Sequence, residues 1–144
     1  MLAAEQFETV IELWCFAIYR VLVIIYFMSP ALFNAFCASL PHTTYVNQWG
    51  GAHVWKVGGK MFAALFPEPD KWAGITFKAS DLSYEVLRHE KGCRPAPYFA
   101  TRGMKWIQWY SDESLGPKEL RTYIRGSYEI VFAGLPKATR AKLT

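Results

Sequence analysis

Two β-type runs, "HVWKV" and "KMFAALF", are separated by nothing but Gly58-Gly59. A two-residue turn between antiparallel strands needs positive φ, which glycine adopts without steric cost. The pair therefore dictates a β-hairpin, and the rest of the chain must be arranged around it. Side chains alternate along a strand, so Trp55 and Val57 share one face and Lys56 takes the other. Lys56, Lys60 and Lys78 are expected to decorate one exposed side of the resulting sheet.

Other elements follow from periodicity. Ser29-Pro30 is a helix start, Ser as N-cap and Pro at the first helical position. Leu32, Phe33, Phe36, Cys37 and Leu40 then recur at three and four, and Pro41 ends the helix. His42 to Gly51 is polar and Gly-containing and reads as a loop. "AGITFKA", Ala73 to Ala79, alternates as a third strand closed off from the second by Pro67 and Pro69. Ser80-Asp81 begins a second helix that Gly92 stops. The prolines of "RPAP" favour an extended edge segment, and "MKWIQWY", Met104 to Tyr110, alternates again. Gly116-Pro117 opens a third helix, with Leu120, Tyr123, Ile124, Tyr128 and Val131 spaced for one buried face. The basic tail "KATRAKLT" reads as partly frayed. The order is α-β-β-β-α-β(β)-α, which is α+β: an antiparallel sheet with helices packed on it.

The 144 residues suffice for one domain with a real core. Charge is unevenly placed. Residues 1–28 hold Arg20 against Glu5, Glu8 and Glu12, whereas residues 29–144 hold 15 Lys and Arg against 9 Asp and Glu. A basic body of this kind favours a polyanionic partner. Two segments are expected: a hydrophobic extension, 1–28, and an α+β domain, 29–144. The run Leu13 to Met28 is too short for a spanning helix and has Arg20 in its middle. It lacks the basic start and cleavage pattern of a signal peptide. An accessory helix, a product of an upstream start codon and a peripheral membrane anchor all remain open readings of it.

Residues that carry catalysis are hard to find. In a Walker A loop ending at Lys60 the first glycine would fall at Val54 and the hydroxyl residue at Met61, so both requirements fail. Gly-x-Gly-x-x-Gly and Gly-x-Ser-x-Gly are absent from the sequence. Cys93 follows His89 by four residues, but Gly92 lies between them, and the thiol reads as a core residue. Asp112-Glu113 reads as loop solvation. Cys15, Cys37 and Cys93 are odd in number and widely spaced, which suits a reducing, cytoplasmic setting and gives no zinc pattern. The expectation is a non-enzymatic protein without metal or cofactor.

The cations instead mix with aromatics. Trp49, Trp55, Lys56 and Lys60 fall in or near the hairpin; Arg94, Tyr98, Arg102, Lys105, Trp106 and Trp109 fall in the second half. Such a mixture can set phosphates on the cations and bases on the rings.

"QWGGAHVWKVGGKMFAAL", "ITFKAS", "GCRPAPYFATRGMKWI" and the closing "LPKATRAKL" resemble the MmcQ/YjbR family, in order and spacing, from about Ser29 to Leu143. The resemblance implies a CyaY-like, frataxin-related α+β fold and a DNA-binding role in which paired hairpin wings meet the nucleic acid. It makes the hairpin of Lys56, Gly58, Gly59 and Lys60 one wing. Arg94, Pro95, Pro97 and Tyr98 match its "RPAPY" signature, and Trp106 matches the tryptophan that follows. Iron binding does not carry over, because Ser29 to Leu40 contains no Asp or Glu.

The expected function is thus DNA binding, with phosphates contacted by Lys56, Lys60, Lys78, Arg94, Arg102 and Lys105, and with Tyr98 or Trp106 as a stacking group. The alternative is a protein- or ligand-binding module using the sheet face. A continuous positive surface favours the first; a neutral apolar pocket with Arg94 at its rim favours the second.

Overall fold

A computed structural model describes Trp14, Cys15 and residues 28–144 of the chain. The readings of the hydrophobic segment before Met28, membrane contact included, otherwise lie outside the described residues. No helix among the described residues is long and apolar enough to cross a membrane.

Four helices are described: α1 (Pro30–Ser39), α2 (Asp81–Leu87), α3 (Pro117–Ala133) and α4 (Lys137–Leu143). Six strands, β1 (Thr43–Gln48), β2 (Ala52–Val57), β3 (Lys60–Phe66), β4 (Gly74–Lys78), β5 (Cys93–Pro95) and β6 (Trp106–Trp109), form one sheet in the order β1-β2-β3-β4-β6-β5. All neighbours are antiparallel. The expected α+β class stands, with two corrections to its order. The segment read as a loop contains β1, and the tail read as frayed contains α4.

Local chemistry explains the boundaries. The Ser29 hydroxyl accepts the Leu32 N–H at 3.2 Å, and Pro30 fills the first turn of α1. Gly58 and Gly59 turn at φ +56° and +78°, the positive values the two-residue hairpin requires. The glycine at 58 is also demanded by packing. A Cβ there would lie 2.5 Å from Leu135 Cδ1, so the connection between α3 and α4 packs directly on the hairpin tip.

The helices cover one face of the sheet. Phe33 and Cys37 of α1, Leu87 of α2, and Leu120, Ile124 and Val131 of α3 pack on Val57, Ile75, Phe77, Ile107 and Trp109. Each such side chain removed from water contributes about 1.5–3 kcal/mol. The β2–β3 register shifts between Trp55 and Lys56, because Phe62 is an extra residue on β3. Its freed carbonyl accepts the hydroxyl of buried Ser127 at 2.6 Å, and the same Oγ accepts the Lys78 N–H at 2.9 Å. One serine of α3 thus serves the bulge in β3 and the end of β4 together. The opposite face of the sheet is built from small residues at its centre, Ala52, Val54 and Ala64.

Candidate nucleic-acid interface

The antiparallel register decides which charges meet. Val57 pairs with Lys60 across the hairpin tip, Ala63 with Phe77, and Lys78 with Trp106. Pro95 pairs with Ile107, so the chain leaves β5 toward Tyr98 at this same end. Lys56, Lys60, Lys78, Arg102 and Lys105, distant in sequence, are therefore gathered at one end of the sheet. Lys137 follows Leu135, which touches Gly58. The nearby acid is Asp81, which pairs with Lys105 at 2.9 Å. Both partners are exposed, so the pair contributes little to stability. Lys56, Lys60, Lys78 and Arg102 have no carboxylate within ion-pair distance among the described residues. The other end of the sheet carries Glu68, Asp70, Glu90, Asp112 and Glu113, with Lys71 and Lys91 among them.

Arg94 stands apart from that group. It lies on β5, paired with Gln108 of β6. Its guanidinium sits over the rings of Tyr110 (4.7 Å) and Trp72 (5.3 Å). Trp106 is buried, its ring stacked on Phe99 with centroids 4.9 Å apart. The ring exposed at this place is Tyr98, with Arg102 over it at 4.6 Å.

Met61 and Phe66 pack over the small residues of the outer face. Beside them lies a cavity of about 670 Å³, within the range of ligand sites. Lys56, Lys60, Thr76 and Gln108 line it, together with the rings of Trp49, Phe66, Trp72, Tyr98 and Phe99. A lysine-rich end and a ring-lined pocket are thus both present and share Lys56, Lys60 and Tyr98, but the pocket carries two lysines rather than being neutral, and Arg94 is not among its lining residues. Trp72 and Phe66 gave no signal in sequence: they flank a Pro-containing loop, and only strand register brings them to this face.

Two of the three thiols, Cys37 and Cys93, are buried. Burial pushes Cys37 far above the ordinary thiol range, and burial followed by Glu90 pushes Cys93 up to about 11. His89 beside it is exposed. No group of three or more His, Cys, Asp or Glu among the described residues is placed to hold a metal.

The YjbR family model matches residues 38–130, which spans β1 through most of α3. The chain belongs to the YjbR family. The match contains the hairpin, the "RPAPY" segment and every cavity residue named above. Solved structures agree on the fold. A Deinococcus radiodurans protein described by a DUF419 domain is 24% identical, with a TM-score of 0.65 over 78% of this chain and 86% of that one. A Pseudomonas syringae protein is 20% identical, with a TM-score of 0.60 over 72% of this chain and 99% of that one. No curated protein matches the chain.

Proposed function

We propose that this YjbR-family chain is a non-enzymatic DNA-binding protein that meets the phosphate backbone at the lysine-rich end of its sheet. The observation that carries this reading is the register that brings Lys56, Lys60, Lys78, Arg102 and Lys105 to the same end of the sheet as the Gly58-Gly59 tip. Four of these cations have no carboxylate partner among the described residues, so neutralising them with phosphates breaks no ion pair described in the free protein. Arg94 is assigned a different part: it orients the aromatic surface beside the contact rather than meeting phosphate.

Each phosphate neutralised releases condensed counterions, so log K falls against log salt with a slope of roughly −0.9 per contact. Fluorescence anisotropy with labelled DNA across a salt series measures that slope. The expected result is a steep slope for the parent and one shallower by about two contacts for Lys56→Glu with Lys60→Glu. Binding that is independent of salt, or a double variant that binds as the parent does, overturns the assignment.

A further inference from the structure

The cavity holds features that contact with a backbone alone does not use. Trp49 and Tyr98, two of its wall residues, are 59% and 62% exposed. Large rings left in water on one concave face mark a recognition surface. Both rings are set by backbone of positive φ, +49° at Trp49 and +72° at Tyr98; His42 is the one other non-glycine residue so placed among those described. Trp49 has Phe66 stacked beside it at 6.0 Å, and Tyr98 meets Arg102 and, edge-on, Phe99.

The floor and rim add polarity of one sign. Thr76 is 2% exposed and lines the cavity beside Gln108. Lys56 and Lys60 line the same space without an ion-pair partner, and no carboxylate lines it. The occupant therefore offers flat rings, hydrogen-bonding edges and negative charge. Nucleobases with their phosphates have that chemistry.

Length separates a strand from a single unit. The cavity extends along β3 from Lys60 and Tyr98 at the basic end to Phe66 and Trp49 at the other. Seven residues of strand span about 20 Å at ~3.4 Å per residue. Ring faces at both ends ask for bases whose own faces are free, and in a duplex those faces are covered by neighbouring pairs. We propose that the cavity receives an unpaired nucleic-acid strand, with bases against Trp49 and Tyr98 and phosphates at Lys56 and Lys60. This rests on the reading of the lysine-rich end as a backbone contact.

The test uses the full chain and three probes at one salt concentration: a labelled oligothymidylate of about twelve nucleotides, a labelled duplex of equal length, and thymidine monophosphate as competitor. The unpaired strand should bind at least about tenfold tighter than the duplex. Trp49→Ala and Tyr98→Ala, both at exposed loop positions, should each weaken it about 5- to 100-fold with an unchanged salt slope. Circular dichroism checks that both variants remain folded. Equal affinity for duplex and strand, or folded variants that bind as the parent does, overturns the inference and leaves the backbone reading standing. Monophosphate that matches the strand in affinity also overturns it, in favour of a small-molecule site. Absence of binding to either nucleic acid at low salt overturns both.

Discussion

Arg94 donates its Nε–H to Gln108 Oε1 across 2.8 Å, and the Gln108 amide donates in turn to the Trp72 carbonyl at 2.6 Å. Gln108 is 1% exposed, so this one side chain fixes a guanidinium and a loop in the face of the sheet. Leucine at that position would fill similar space and satisfy neither partner. Gln108→Leu should therefore lower the unfolding free energy by about 1–3 kcal/mol in urea titration. A loss below ~0.5 kcal/mol would mean that water replaces the amide at no cost.

The two hairpin glycines should differ. Gly59 meets nothing within 4 Å where a Cβ would stand, so Gly59→Ala carries the positive-φ penalty alone, about 1 kcal/mol. Gly58→Ala carries the same penalty and also drives a methyl into Leu135. Overpacking adds ~1–3 kcal/mol. Leu135 is itself buried, so Leu135→Ala is costly alone; in the Gly58→Ala background it should cost less than in the parent, as read from a double-mutant cycle in urea unfolding. Equal costs at the two positions would contradict the contact.

Ser127→Ala removes the hydroxyl shared by the Phe62 carbonyl and the Lys78 N–H. Both backbone groups lose a buried partner, and the expected destabilisation is about 2–3 kcal/mol. Hydrogen exchange should locate it: the Lys78 amide should lose protection ahead of its neighbours on β4. Uniform loss of protection would place the effect elsewhere.

The buried thiols predict a pH dependence. Cys93 titrates near 11 in the folded chain, above the 9.0 of a free thiol. A raised pKa favours the protonated, folded form, so its contribution is intact below pH 9 and lost as pH climbs toward 11. Stability should decline across that window, and Cys93→Ala should flatten the decline. At pH 8 a thiol reagent should label exposed Cys15 readily and reach Cys37 and Cys93 only on unfolding. Prompt labelling of all three would show that the core opens.

What the sequence discloses depends on where its constraints act. The Gly58-Gly59 turn is legible because two residues carry the whole requirement. The buried stripe of α3 is legible because Leu120, Ile124 and Val131 repeat at helical spacing. β1 is not, because "TTYVNQ" is an edge strand that pairs only with β2 and shows no clean alternation of burial. Each cation of the set is legible in the sequence, yet its separation into a free cluster and a fixed Arg94 depends on Gln108, fourteen positions away. Trp72 joins the site through a bond to a residue thirty-six positions distant, which no local pattern records.

Trp49 and Tyr98 occupy backbone that glycine holds at Gly50, Gly58, Gly59, Gly92 and Gly103. Side chains forced into that region are costly to folding, and a chain selected for stability alone would carry glycine there too. Trp49→Gly and Tyr98→Gly each exchange a ring for backbone ease. An engineer seeking a more heat-resistant version of this fold would reach for these two positions first, and in doing so would strip the sheet of its most outward-reaching surface.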